Sequence, residues 1–264
     1  RAERAAREKR AGRALQLWLS AREGLRGTPV AAYLADARGI DLGQLGRQPR
    51  ALRYLERTRY YHMDDRTGEV FERDYPALAT LVVGPRGKPA ALHRTYLAPH
   101  PVTGRWDKAA APADWPFDPD AWNAKKVYGD YAGCWIVISN GAGARGGRGL
   151  SLWKADPGQH VYVTEGIEDA LSVAILLPEA RVIAAVSLSN IGNLRLPGSV
   201  ARVTLVADLD ENDQARAQLE RAIAAHQRAG REVRLWQNAH GGKDLNDALR
   251  AALESRRQEQ EGAA

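Results

Sequence analysis

A chain of 264 residues with 44% apolar side chains is long enough for one large domain or two modest ones, and apolar enough to bury a core. A formal charge of +6 and a pI near 9.5 favour an anionic partner such as nucleic acid. The single Cys134 excludes an internal disulfide and any zinc site built mainly from this chain's thiolates. No apolar run is long enough to span a bilayer, and the charged, Ala-rich start lacks the apolar centre of a secretory signal, so a cytoplasmic protein without membrane contact is expected. The chain begins at Arg1 and not at Met, which leaves room for an upstream zinc-binding module.

Residues 1–13 form an Arg/Glu/Ala-rich helix that continues into an amphipathic stretch with Leu15, Trp18 and Leu19 on one side, read as a solvated helical arm. Thr28 is an N-cap with Pro29 at the first helical position, and Gly39 stops the turns around Tyr33 and Leu34. Residues 1–44 are thus a helical N-terminal segment. The character then changes: 77–83 and 89–97 are strand-like runs on either side of the turn Gly84-Pro85-Arg86-Gly87-Lys88, a hairpin signature. Residues 99–123 carry Pro, Asp and Trp without periodicity, and 134–139 is a short apolar strand. The Gly/Arg-rich 141–149 segment could cradle a phosphate, but it lacks the Gly-Lys-Ser/Thr ending of a P-loop and reads as a flexible connector. Residues 45–155 are read as an α+β basic subdomain.

From residue 160 the pattern becomes regular: strand 160–164, helix 167–177, strands 181–187 and 202–207, helix 212–229, strand 232–236 and helix 244–256. That alternation predicts an α/β domain with a parallel sheet over 156–256. Ile167, Ala170, Leu171, Ala174 and Ile175 make the core-facing stripe of its first helix, and Gly230 stops the long one.

Three carboxylates carry the chemistry. Glu165 directly follows its strand, at a strand-to-helix turn that faces the ligand crevice of an open α/β sheet. Asp208 and Asp210 follow the apolar run Val203–Val206, and right-handed crossovers put both strand ends on one edge. Two Asp residues at i and i+2 hold hard cations, with Mg²⁺ expected and Mn²⁺ its substitute, and a nearby Glu serves as ligand or general base. The bland alternative makes Asp210 and Asp213 a helix cap and Glu165 a first-turn acid.

In this order, Glu165-Gly166 with Asp169, and Asp208-Leu209-Asp210 after a separation of 43 residues (208 − 165), resemble the Toprim family of topoisomerases, bacterial primases and nucleases. Gly242-Lys243-Asp244-Leu245-Asn246-Asp247 resembles the stretch that follows in primases and primase-like phage or plasmid proteins, and Tyr33–Ile40 and His93–Leu97 resemble their upstream portion more loosely. The resemblance implies a Rossmann-like Toprim domain behind a helical arm and an α+β subdomain. It also implies DNA primase-type nucleotidyltransfer: primers made on single-stranded DNA from nucleoside triphosphates, with a replicative helicase as further partner. Asp208 and Asp210 would hold the metal and Glu165 would ligate it or assist deprotonation, with Asp169 and Asp244 as secondary acids. Arg94, Lys108, Lys125, Lys126, Arg145 and Arg148 are candidates for a template or nucleotide track, with Tyr96, Trp106 and Tyr128 near for stacking. The same acids suit a Toprim nuclease, and a non-catalytic Toprim binding module is the non-enzymatic alternative. A haloacid-dehalogenase-type phosphatase is disfavoured by Asn212 and by the 54 residues (264 − 210) after Asp210, and a type I topoisomerase by lack of room for its tyrosine domain. No histidine shows ligand pairing.

Overall fold

Parallel strands β7 (Gln159–Thr164), β8 (Arg181–Ala184), β9 (Val200–Ala207) and β10 (Glu232–Gln237) stand in the order β10-β9-β7-β8. Their register runs Val161↔Arg181 on one side of β7 and Val161↔Val203 on the other. These coordinates are a computed structural model that describes residues 2–143, 147–209, 212–238, 242 and 244–262; Arg145, Asp210, Lys243 and His240 fall outside. The chain divides into two units that interleave in sequence: 1–37, 52–81 and 90–130, against 38–51, 82–89 and 131–264. β6 (Trp135–Asn140) joins the second unit's sheet by pairing antiparallel with β8.

The strand order itself positions a site. From β7 the chain crosses through α3 (Ile167–Leu176) to β8 on one side, then returns through α4 (Leu188–Ile191) to β9 on the other. The direction of winding reverses at β7, and ligands of open α/β sheets lie outside the carboxyl ends of strands at such a switch point. The crossover hand places α4 and α5 (Asp213–Arg228) over the face opposite α3. Val161, Val163, Val203 and Leu205 pack with Ile191, Leu194, Leu196 and Ala222 on the α4/α5 side. α3 is buried along almost its whole length, as its stripe predicts, and packs on α6 (Leu245–Gly262), β6, β7 and β8. The strand expected over 181–187 stops at Ala184, since Val186 has φ +78 and breaks the ladder.

His226, on α5, is a buried polar group of this core, 1% exposed. Its Nε2 lies 3.1 Å from the Ile191 carbonyl and its Nδ1 3.2 Å from Nη1 of Arg231, whose Nη2 donates to the Leu196 carbonyl at 3.1 Å. Neutral imidazole satisfies both contacts, with Nε2–H donating and Nδ1 accepting. Burial, and then the Arg231 charge, push its pKa below the ordinary 6.5. With the folded pKa lowered, the unfolded chain binds more protons just below pH 6.5, so stability is full above that pH and is lost as pH falls toward the folded pKa. Melting curves between pH 5 and 7.5 are expected to show this loss for the wild type and a flatter profile for His226→Gln; parallel profiles would remove His226 from the account.

In the first unit, β2 (Val70–Val83) lies between β1 (Leu52–Met63) and β3 (Pro89–Pro99), and β4 (Trp106–Lys108) and β5 (Lys125–Gly129) pair with β3. The hairpin predicted around 84–88 is present, with strands that extend beyond 77–83 and 89–97. Arg59, Arg73 and Glu72 make ion pairs at the surface of β1 and β2. α1 (Ala2–Ser20) is one helix, and not merely a solvated arm. Ala14, Leu17 and Trp18 pack against Leu55, Ala79 and Leu92, the Arg53 guanidinium lies 3.9 Å from the Trp18 ring centroid, and Leu19 turns outward. Thr28 caps α2 (Pro29–Ala32) as expected, accepting from the Ala31 N–H.

Candidate functional site

Glu165 leaves the end of β7 and Asp208 the end of β9, and both line one small cavity with Arg216 and Gln237. The turn between β7 and α3 is set by Gly166, the N-cap of α3, with Thr164 Oγ1 donating to the Gly166 carbonyl at 2.7 Å. A side chain at Gly166 would stand 3.4 Å from Glu168 Oε2 and 3.5 Å from Asp169 Oδ2, so both carboxylates fold back over the glycine backbone. Their place in the first turn of α3 lets the helix dipole offset part of their charge.

The last helix completes the edge. Asp244 caps α6, accepting from the Asp247 N–H at 2.7 Å, and the Asn238 side-chain amide donates to the Asp244 carbonyl at 3.2 Å. Asn246 binds Asp169 and α3 together: its backbone N–H donates to Asp169 Oδ1 at 3.0 Å, and its Nδ2 donates to the Arg38 carbonyl (2.8 Å) and Ser172 Oγ (3.2 Å). Gln237 Nε2 donates to the Asp208 carbonyl at 3.2 Å. Asp169 is buried, and its pKa is pushed up to about 7 by desolvation, then by the charge of Asp244 against the lowering hydrogen bond from Asn246, and further by Asp208 and Glu168.

Desolvation and the negative charges of Asp244, Asp208 and Glu168 thus act together on one buried carboxyl. Hard oxygen donors under mutual repulsion suit a divalent cation of the Mg²⁺ type, which relieves the repulsion that raises Asp169. Among the described residues no three acids already stand at ligating distance. Asp210, proposed from the sequence as a metal ligand, lies outside the described residues. The cap of α5 belongs to Asn212, whose Oδ1 accepts from the Gln214 N–H at 2.7 Å, so Asp210 is not needed for that purpose.

Sequence reading did not single out Glu168, Asn190, Gln237, Asn238 or Asn246 as site residues. Glu168 was signalled by three acids within Glu165–Asp169, but the amides carry no period and reach their partners only through tertiary contact. Val186, with φ +78 just after β8, donates its N–H to the Glu165 carbonyl at 3.0 Å. A β-branched residue in that region is strained, and such strain concentrates at functional edges.

In the first unit, Arg94 on β3 stands directly opposite Lys126 on β5. Like charges so placed repel, and Lys126 has its pKa lowered by burial and by Arg94. Lys126 Nζ is 5.0 Å from the Tyr60 ring centroid, and Arg94 donates to the Arg59 carbonyl at 3.1 Å. Strand alternation turns Lys125 to the other face from Lys126, and Lys108 sits on β4 opposite Leu97. Tyr96 is not available for base stacking: it is fully buried with Tyr60 and Trp122, its hydroxyl donates to the Arg59 carbonyl at 2.7 Å, and burial holds its pKa up at about 12. Arg148 belongs to the second unit, and Arg145 is outside the described residues.

A switch-point sheet whose strand ends and flanking helices present clustered carboxylates defines an acid-edged α/β domain. Residues 160–255 match the Toprim domain model, so this part of the chain is a Toprim domain. Residues 8–138 match a domain of unknown function, DUF7146. No curated protein matches the chain by sequence. Among solved structures, a DNA primase domain from Pseudomonas aeruginosa aligns with a TM-score of 0.53 at 15% identity, covering 93% of this chain and 77% of that one. The E. coli primase catalytic core aligns with a TM-score of 0.50 at 14% identity, covering 94% and 79%. The chain thus has a primase-core fold: an N-terminal α+β region followed by the Toprim domain. Among the described residues no helix is long and apolar enough to cross a membrane.

Proposed function

We propose that the chain is a primase-type nucleotidyltransferase acting on single-stranded DNA with nucleoside triphosphates. The observation that carries this reading is the convergence of Glu165, Glu168, Asp169, Asp208 and Asp244 on the switch-point edge of a Toprim domain in a chain with a primase-core fold. In the reaction, a 3′-hydroxyl oxygen attacks the α-phosphorus of a triphosphate, the bond to the β-phosphate oxygen breaks, pyrophosphate leaves and the hydroxyl proton passes to a base. Asp208 and Asp210 would hold Mg²⁺ or Mn²⁺, which when bound supplies charge stabilisation at the attacking and leaving oxygens. Glu165, sharing the Asp208 cavity, would take the hydroxyl proton or complete the metal shell. Asn246 and Gln237 hold the acidic residues in place through Asp169 and the Asp208 backbone.

The opposed Arg94–Lys126 pair would supply phosphate contacts to the template, on the face of these strands opposite to Lys108 and Lys125. Such contacts position a strand without reading its bases. A replicative helicase is the macromolecular partner that a primase of this kind would serve.

The test is to incubate the protein with single-stranded DNA, labelled NTPs or dNTPs and Mg²⁺ or Mn²⁺. New oligonucleotides that disappear on chelation with EDTA are expected. Metal-dependent shortening of the DNA without added nucleotides would replace the reading with a Toprim nuclease, and binding without either product would replace it with a non-catalytic module.

A further inference from the structure

An arginine-lined cavity lies at the end of the Toprim sheet opposite the carboxylate edge. β6 runs antiparallel to β8, so Asn140 at its end pairs with Arg181 at the start of β8, while Ile136 near its beginning pairs with Ala184. The region beyond Asn140 therefore sits at the end of the sheet away from Glu165 and Asp208, separated from them by the length of α3, on the order of 15 Å for ten residues.

There Arg47, Arg50 and Arg148 line one cavity of about 310 Å³ with Ser139, Asn140 and the backbone of Gly141. No described residue that lines it is acidic, and neither Arg47 nor Arg50 makes an ion pair with a described residue. The volume is at the lower end of the range of small-molecule sites, roughly 300–1,000 Å³.

Among the described residues 141–143 and 147–149, the wall that carries Arg148 is held by backbone hydrogen bonds. Ala142 bridges antiparallel to Arg148, Gly143 N–H donates to the Gly147 carbonyl at 2.6 Å, and Gly149 N–H to the Gly141 carbonyl at 2.8 Å. A Cβ at Gly149 would overlap the Asn140 carbonyl oxygen, so only glycine permits this close return. The ribbon brings Arg148 back beside Asn140, whose side-chain oxygen, turned toward it, accepts from Nη2 (3.0 Å) and Nε (3.3 Å). Facing it, Asp41 caps the turn Leu42–Leu45 and Gly46, at φ +62, ends it and delivers Arg47 and Arg50 to the cavity. Burial, then Arg50 and Arg47, lower the pKa of Arg148, the signature of cations gathered without a counter-charge.

We infer that this cavity binds the oligophosphate group of a small phosphorylated ligand, of the nucleoside-triphosphate class, independently of the carboxylate edge. Guanidinium forks match phosphate oxygens in paired hydrogen bonds, and three of them on one cavity match an anion that concentrates several charges in one place. A nucleic-acid strand presents single charges in a row and needs a continuous groove. The inference does not depend on which reaction the Toprim edge performs.

Isothermal titration of the full chain with sodium tripolyphosphate, and separately with ATP, in EDTA at low ionic strength reads this site without divalent metal. Saturable one-site binding is expected. It should weaken at least tenfold in the double variant Arg47→Gln/Arg50→Gln and in Arg148→Gln, and stay unchanged in Asp208→Asn. Arg47 and Arg50 are exposed, so the double variant is expected to melt as the wild type does. Absence of saturable tripolyphosphate binding, or equal affinity in the arginine variants, would overturn the proposal. So would loss of binding in Asp208→Asn alone, which moves the ligand to the carboxylate edge. Oligonucleotide binding that needs these arginines but is not displaced by tripolyphosphate would make the cavity part of a strand path instead.

Discussion

Asp208→Ala is expected to lower metal-dependent primer synthesis by two to three orders of magnitude, on the order of 3–4 kcal/mol of transition-state stabilisation, with little change in the melting temperature. Asp208 leaves the end of β9 with its backbone held by Gln237, so truncating the side chain removes a carboxylate without unpacking a strand. Glu165→Ala should act similarly, because Glu165 lines the same cavity. The two losses together should be far from additive if the residues work on one metal-bound transition state. Asp169→Asn separates repulsion from chemistry: it keeps an acceptor for the Asn246 N–H while removing a charge that Asp244, Asp208 and Glu168 oppose. Without added metal this variant should melt above the wild type, and Mg²⁺ should narrow the difference by stabilising the wild type more. If Asp208→Ala retained full synthesis, the acidic edge would not be the reaction centre.

Asn190→Asp is expected to destabilise the second unit by about 3–5 kcal/mol at neutral pH, the cost of a buried charge without a counter-charge. Asn190 is 3% exposed, and its amide ties three segments together. Its Oδ1 accepts from the Gly133 N–H at 2.8 Å, and its Nδ2 donates to the carbonyls of Ala185 (2.7 Å), Cys134 (2.9 Å) and Tyr131 (3.4 Å). A carboxylate of the same shape would face those three carbonyl oxygens with no hydrogen to offer. Because Ala185 immediately precedes the strained Val186 that donates to Glu165, the same substitution should loosen the carboxylate edge. Thermal melting at pH 7 should fall by about 10 °C, with partial recovery toward pH 5 as the new carboxyl is protonated. Wild-type melting would show that these hydrogen bonds contribute little. Asn190→Ala then separates the two causes, since it leaves the carbonyls unpaired without adding charge and should cost less, about 1–3 kcal/mol.

The α/β alternation after residue 160 was legible because its strands are apolar runs and its helices carry a 3.6-residue stripe, both set by local burial. Glu165, Asp169, Asp208 and Asp244 were legible for a related reason: each sits at a strand end or helix start, and chain direction alone places such ends on one edge of a parallel sheet. β1 and the first half of β2 were not, because a bulge between Leu55 and Thr58 shifts the period-2 pattern of β1 and the half-buried Arg73 stands between Phe71 and Tyr75 on the apolar face of β2. The interleaving of the two units has no signature in the linear sequence either, since a strand's partner is chosen by geometry across the sheet and not by proximity in the chain.

By itself, then, the amino-acid sequence determined an α/β domain, the direction of its strands and the acids at their ends, consequences of short-range periodicity and of a handedness that every L-chain shares, while the Toprim family was read from the resemblance of its acidic motifs. Tertiary structure alone decided that Asn246 and Asn190 are the clamps, that Tyr96 is core and not a stacking platform, and that Arg47, Arg50 and Arg148 meet on one cavity. Arg50 and Arg148 are 98 residues apart (148 − 50), and hydrogen bonds and charge encounters over such separations have no local signature, because they exist only once the backbone has closed.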